Sequence, residues 1–372
     1  MTTDSGSAPM VGRQVVFRGA GAALELRSDS VGGPEADSVL VEVELAGVCG
    51  TDAHRVRGDL PDPPAPIAFG HEAIGRVVAL GERVRTDSAG APLAVGDRLY
   101  WTVSGPCGRC YGCTVARNPL DCVDAVWPPR ADTPNPAGFQ QFATIGRRLS
   151  FFRVPDDTPS EAVIAFGCAM PTALGGFRRL GHVAPASTVV IQGCGPVGLA
   201  CTVLAGLSPA TQVIVIGGAH ARLEAADRLG ATTTISIDIA PAQRRDAVLD
   251  LTGGRGADIV IEAAGHVSAF TEGLDLLAAH GRFLLLGLYS GASEVSFNPV
   301  TINNRNLTVL GSLGVDPGDY LTTIGLAQRH HARLSFGDLV THRFPLEQLI
   351  EAIEATESGE AVKAVVCPSA RV

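Results

Sequence analysis

TVVIQGCGPVGLA, residues 188–200, decides the fold. The short apolar stretch TVVIQG (188–193) reads as a strand, and its last residue opens Gly193-Cys194-Gly195-Pro196-Val197-Gly198. A helix is expected from Pro196. A glycine-rich turn of this pattern between strand and helix has a mechanical reading. Gly193 permits the tight turn, Gly195 lets backbone approach a pyrophosphate, and Gly198 lets helix and strand pack closely. The helix N-terminus then favours the anion.

Working outward, short apolar strands alternate with helices on the C-terminal side of this loop. QVIVIG (212–217), TTTISI (232–237), ADIVIEAAG (257–265), RFLLLGL (282–288) and NLTVLGS (306–312) read as strands. The segments 219–230, 242–254 and 267–281 read as helices. Apolar strands without clean alternation suit a parallel sheet covered on both faces, and repeated βα units give an α/β, doubly wound Rossmann fold. The segment before about residue 165 has another texture. VLVEVELAGV (39–48), IGRVVALG (74–81) and DRLYWTV (97–103) read as strands separated by Gly and Pro. The tail, with a final helix at 345–357 and a strand at 362–366, is expected to pack back on this β-rich part. The expected division is 1–168 with 313–372 as one discontinuous unit, and 169–312 as the dinucleotide-binding unit.

Composition bounds the function. At 372 residues, with 46% hydrophobic and 18% charged residues, two domains with sizeable cores are expected and disorder is not. A net charge of −9 disfavours nucleic acid as a partner. The polar opening MTTDSGSAPMVGRQ lacks an apolar run and reads as a frayed end without a signal peptide. The stretch 188–218 is too interrupted by Gly and Pro for a membrane span. Clustered cysteines without an export signal favour metal over disulfides and a reducing cytoplasm.

Two groups of residues carry metal chemistry. PCGRCYGCTVARNPLDC supplies Cys107, Cys110, Cys113 and Cys122, which suits a closed tetrahedral structural zinc site. AGVCGTDAHRVRGDLPDPPAPIAFGHE (46–72) holds Cys49, Thr51, Asp52, His54, His71 and Glu72. Cys49 and His71 read as part of a second metal site, for which Cys168 in FGCAMPTALGG is the best third ligand; alone, Cys168 would read as a buried core cysteine. His54 alone would read as a solvated loop histidine. Beyond the strand ending at Ile216, the tip reads Gly217-Gly218-Ala219-His220, with Arg222 following. A carboxylate there would bind the adenosine ribose and repel a 2′-phosphate. None is present, so NAD(P) is expected with NADP slightly favoured.

GVCGTDAH, GHE, the four-cysteine loop, GCGPVG and RLEAADRLGA occur in the order found in zinc-containing medium-chain alcohol dehydrogenases, which the whole chain resembles. The resemblance implies a GroES-like catalytic domain beside the Rossmann domain. It implies catalytic zinc on Cys49, His71 and Cys168, with Glu72 beside it and Asp52 orienting the His71 imidazole. It implies a proton relay from Thr51 through the nicotinamide ribose to His54. A cysteine at 168 resembles the alcohol branch; the polyol branch tends to carry a carboxylate there. Lys363 resembles a position that meets the cofactor pyrophosphate. A small alcohol or carbonyl substrate and a homodimer or homotetramer are implied. Two departures stand out: the missing carboxylate near Gly217, and a Cys113–Cys122 spacing about one residue longer than usual for such a loop. A zinc-free reductase of the same fold and a non-catalytic zinc- and nucleotide-binding regulator are the alternatives. The first conflicts with the ligand set and the second with the intact relay residues. Trp101, Val103 and Trp127 are candidates for the substrate cleft or for ordinary packing.

Overall fold

The computed structural model describes residues 10–290 and 294–369. Of the opening segment read as frayed, residues 1–9 lie outside the described residues, and from Met10 the chain is strand.

In the N-terminal part, β1 (Met10–Phe17), β2 (Glu25–Val31), β3 (Val39–Gly47), α1 (Gly50–Arg57), β4 (Ile67–Ala68), β5 (Ala73–Leu80) and β6 (Arg98–Trp101) come first. There follow α2 (Tyr111–Thr114), β7 (Phe142–Ile145), β8 (Phe151–Val154), α3 (Ser160–Ile164) and α4 (Ala169–Leu180). The middle of the chain is β9 (Thr188–Gln192), α5 (Pro196–Gly206), β10 (Gln212–Gly217), α6 (His220–Leu229), β11 (Thr233–Ser236), α7 (Pro241–Leu251) and β12 (Ala257–Glu262). It continues with α8 (Val267–Leu276), β13 (Leu277–Leu285), α9 (Val300–Asn303), β14 (Thr308–Gly311) and α10 (Pro317–Leu334). The last elements are β15 (Val340–Phe344), α11 (Leu349–Glu357) and β16 (Lys363–Val366).

Strands β9 to β14 form one parallel sheet in the order β11-β10-β9-β12-β13-β14. The strand order reverses between β9 and β12, which opens a crevice at their C-terminal ends. The apolar run of β9 is buried throughout, as a strand covered on both faces requires. One expected helix is shorter than its sequence suggested. It runs from Val267 only to Leu276, and the AAHG segment is the start of β13. Leu277 is extended and pairs with Ala257, so sheet pairing of a buried leucine overrides the helical period.

The second sheet has the order β15-β16-β3-β5-β6-β8, with β7 also on β3. The antiparallel pairing of Val365 with Gly47 returns the C-terminal strand to the N-terminal part. A single apolar core runs from Leu45 and Ile74 through Phe166 and Met170 to Val189 and Leu199. Cys168 sits in this seam, just before α4.

Candidate active site and metal centres

The helix α1 begins at Cys49, whose backbone is extended at φ −119°. Asp52, three residues on, accepts the Cys49 backbone N–H at 3.0 Å with Oδ2. Its other oxygen lies 3.1 Å from His71 Nδ1. One buried carboxylate thus starts the helix and orients an imidazole, leaving Nε2 for a metal. The Cys168 Sγ lies 3.7 Å from both Cys49 Sγ and His71 Nε2. A tetrahedral zinc with Zn–S near 2.3 Å spaces its sulfurs roughly 3.8 Å apart, so these donors fit that ion. The donor atoms of Cys49, His71, Glu72 and Cys168 all fall within 4.8 Å of one another.

Behind these ligands lies a buried ion pair. Glu72 Oε1 accepts the Cys168 backbone N–H at 2.9 Å. Glu72 Oε2 takes the Lys363 ammonium at 2.5 Å, and that ammonium also donates to Val48 O at 3.0 Å. Gly47 and Gly167 make room: a Cβ at either would overlap the Glu72 carboxylate. Lys363, expected at the cofactor pyrophosphate, therefore has its charge buried beside the candidate metal donors. The pairing of β16 with β3 puts it there.

A cation here would meet a ready thiolate at Cys49 and would displace the proton from His71. The Cys49 thiol is held well below its usual range, chiefly by its hydrogen bond with Cys168 and further by His71 and the Lys363 charge. Sharing that proton, together with burial, pushes Cys168 up. Burial opposes a charged His71, but Asp52 and then Cys49 outweigh it and raise the imidazole well above its ordinary value. Lys363 is likewise raised, because the Glu72 charge outweighs burial.

The four-cysteine loop gathers its sulfurs as expected. Cys113 Sγ lies 3.5 Å from that of Cys110 and 3.9 Å from that of Cys107, and the Cys107 N–H donates to Cys122 Sγ at 3.2 Å. Backbone N–H groups of Cys113 and Val123 bring Cys110 down to about 6, while burial brings Cys113 up to about 11. A short 3-10 turn at Pro119–Asp121 lies within the long Cys113–Cys122 spacing.

At the glycine loop, Gly193 has φ +104°, and a Cβ at Gly198 would overlap the Gly193 carbonyl. A Cβ at Gly195 would meet nothing within 4 Å, which leaves an open cradle at the N-terminus of α5, where Pro196 and Val197 begin the helix. This fits a pyrophosphate. At the strand tip, a Cβ on Gly217 would overlap Cys194 Sγ, which donates to Gly218 O at 2.9 Å. The missing carboxylate thus has a packing cause. His220 is exposed and lies 3.2 Å from Glu224. Arg222 is not a free cation for the adenosine end. Its guanidinium donates to Ala361 O at 2.8 Å and Thr356 O at 2.7 Å, because α6 packs beside the segment between α11 and β16.

Thr51 Oγ1 lies 3.7 Å from Cys49 Sγ, and His54 follows three residues later on the same face of α1. Trp127 stands edge-on to the His71 ring, centroids 6.5 Å apart, and is exposed. Trp101 and Val103 are core residues instead; Trp101 is fully buried with its Nε1 donating to Pro136 O. Sequence reasoning missed two participants, Asp59 and Ser290 at His54, and it missed the pairing of Glu72 with Lys363. A lysine in the apolar run AVKAVV signals a buried partner, but nothing local names Glu72.

Residues 35–156 match the family model for the alcohol dehydrogenase GroES-like domain, and 196–329 match that for zinc-binding dehydrogenases. The chain is 40% identical over 335 residues to 5-exo-hydroxycamphor dehydrogenase of Pseudomonas putida, covering 90% of this chain and 92% of that one. It is 30% identical to sorbitol dehydrogenase of Halalkalibacterium halodurans, covering 90% and 93%. An alcohol dehydrogenase structure from Thermotoga maritima superposes with a TM-score of 0.88 at 31% identity, covering 97% and 100%. A zinc-binding dehydrogenase of Sinorhizobium meliloti bound to NADP gives 0.81 at 27% identity, covering 96% and 100%. Among the described residues, no helix is long and apolar enough to cross a membrane. With relatives matching along nine-tenths of its length and a donor set that fits zinc, the chain belongs to the zinc-containing medium-chain alcohol dehydrogenases and is an NAD(P)-dependent oxidoreductase acting on CH–OH groups.

Proposed function

We propose that this dehydrogenase interconverts a secondary alcohol on an apolar ring skeleton and its ketone, with NADP preferred. Catalytic zinc would be held by Cys49, His71 and Cys168, and structural zinc by Cys107, Cys110, Cys113 and Cys122. Bound zinc supplies Lewis acidity toward the substrate oxygen, and the nicotinamide supplies the hydride acceptor. The chain's own residues do the rest. Asp52 fixes the His71 imidazole. Glu72 holds the Cys168 backbone in place. Thr51, beside Cys49, accepts the substrate hydroxyl proton by hydrogen bonding and passes it toward His54 and solvent. Trp127 walls the cleft with an apolar face next to His71.

The observation that carries this reading is the Cys49–His71–Cys168 cluster with Trp127 against its histidine. The 40% identity to an enzyme named for a hydroxycamphor supports the ring-alcohol class, and Cys168 favours the alcohol over the polyol branch. The side-chain-free strand tip at Gly217 supports NADP. The units 1–168 with 313–372 and 169–312, a homodimer or homotetramer, and a cytoplasmic setting accompany the family resemblance. A steady-state screen of alcohols and carbonyls, run with both nicotinamide cofactors, tests the reading. Highest kcat/KM for alicyclic secondary alcohols with NADP is expected; a preference for polyols, or for NAD, would refute the corresponding part.

A further inference from the structure

His54 does not stand alone on its helix. The helix α1 ends at Gly58, φ +85°, and the Asp59 backbone N–H bonds back to His54 O at 2.9 Å. This turn folds the Asp59 side chain over His54, so that Oδ2 lies 2.9 Å from His54 Nδ1. From the parallel-sheet side of the cleft, Ser290 Oγ reaches the same nitrogen at 2.9 Å. Arg57 Nη2 lies 2.8 Å from Nδ1 but donates to Asp59 Oδ2 at 2.6 Å, and its other terminal nitrogen pairs with Glu357 of α11. Asp59, Arg57 and, through Arg57, Glu357 are the charged groups at this histidine.

The tautomer that satisfies Asp59 is the Nδ1–H form, in which Ser290 Oγ shares the same hydrogen as a second acceptor. A carboxylate only accepts, so Nδ1 beside Asp59 carries the hydrogen. Arg57 cannot donate to an N–H, and its hydrogen bonds go to the two carboxylates. Nε2 then holds the lone pair, and it has no hydrogen-bond partner among the described residues. The hydrogen bonds to His54 and Arg57 keep the Asp59 carboxyl below its ordinary range, so it stays ionised while it does this.

We propose that Asp59 and Ser290 are the positioning residues of the proton relay: Asp59 fixes Nδ1–H on His54 and so presents Nε2 as the proton acceptor, and Ser290 anchors the ring from across the cleft. This rests on the reading of Thr51 and His54 as the proton path. When Nε2 takes a proton the imidazolium is formed against an existing carboxylate, and the proton then leaves to solvent base; no bond to carbon changes at this step. Because Ser290 follows β13 while His54 belongs to α1, the ring is fully held only when both walls of the cleft are in contact.

The test compares Asp59→Asn, Asp59→Glu, Ser290→Ala and His54→Gln in the zinc-loaded enzyme, measuring kcat, alcohol KM, cofactor affinity, melting temperature and the dependence of kcat on imidazole buffer. Asp59→Asn retains the backbone bond that ends α1, so it is expected to fold. Its kcat should fall roughly tenfold or more, short of the full general-base effect of about 10²–10⁴-fold because His54 itself remains. KM and cofactor affinity should stay within about twofold, and added imidazole should restore kcat. Asp59→Glu should recover part of the loss, and Ser290→Ala should lose about two- to fivefold with the same buffer response. If His54→Gln is slow and buffer-rescued while Asp59→Asn matches wild type, this inference fails and the relay stands. If His54→Gln itself matches wild type, the relay reading fails. A fall in melting temperature with lost activity and no buffer response would mean Asp59 is merely structural, and would also overturn the proposal.

Discussion

Replacing Lys363 by methionine tests the architecture behind the proposed metal ligands. The Lys363 ammonium and the Glu72 carboxylate are both about 1% exposed and 2.5 Å apart. Methionine fills the space of the lysine stem but leaves the Glu72 charge buried without its partner. Removing one member of a buried ion pair costs about 3–5 kcal/mol, because the remaining charge is uncompensated. At about 2 °C per kcal/mol for a chain of this size, the melting temperature should drop by roughly 6–10 °C. The loss should extend to the metal. Glu72 accepts the Cys168 backbone N–H, and an outer contact of this kind is worth about 10–100-fold in metal affinity.

The double variant Lys363→Met with Glu72→Gln separates charge from shape. The amide oxygen still accepts the Cys168 N–H, and no charge is stranded. It should therefore be more stable than Lys363→Met alone by more than half of the single variant's loss. Differential scanning calorimetry on the zinc-loaded protein, with metal analysis of the same samples, reads both effects. A Lys363→Met protein within about 1 kcal/mol of wild type would show that the pair is not a buried charge contact. A double variant as unstable as the single one would show that shape matters more than charge.

Cys49→Ala or His71→Ala should abolish turnover while nicotinamide binding, followed by fluorescence titration, stays near wild type; equal loss of both would deny separate sites. Cys110→Ser should remove one zinc equivalent and lower the melting temperature, and unchanged stability would mean that the four-cysteine loop holds no structural metal. Gly217→Asp alone should be destabilised by about 1–3 kcal/mol through overlap with Cys194 Sγ. Combined with Cys194→Gly, since the Cys194 Cβ would itself lie 2.9 Å from the new Cβ, it should recover and lose roughly 10²–10³-fold in kcat/KM with NADP, from like charges near 4 Å at an effective dielectric of about 20. Retained NADP preference in that double variant would place the 2′-phosphate elsewhere.

Much of this was legible in the chain because the chemistry is local. Gly193, Gly195 and Gly198 are dictated by one turn, and the sulfurs of Cys107, Cys110 and Cys113 are brought together by short spacings. Cys168 was recoverable from valence: two donors in one stretch require a third from elsewhere. What failed depended on direction. Lys363 and Arg222 were both expected at the cofactor because a cation near a nucleotide is a fair guess. The first is turned inward by β16 pairing with β3, some three hundred residues away in sequence. The second is turned toward carbonyls that only the folded α11–β16 segment presents. Trp101 and Trp127 look alike in sequence, yet β6 buries one and a loop exposes the other.

The segment from Cys49 to Asp59 concentrates the site to an unusual degree. Its first residue is the proposed metal donor Cys49, its fourth carries the carboxylate that both starts the helix and turns His71, and its last folds back on the histidine of the proposed proton path. A helix this short is marginal by itself. Its stability must come from what it touches: the core through Ala53 and Val56, α11 through Arg57, His71 through Asp52, and Ser290 through His54. On the proposed assignment, metal binding and proton transfer would be coupled through one eight-residue helix. A substitution that loosens its start, such as Asp52→Ala, should impair both, whereas a change at its end, such as Asp59→Asn, should slow proton release and leave zinc in place. That asymmetry follows from where the two carboxylates sit, and metal content measured beside buffer-dependent turnover would expose its absence.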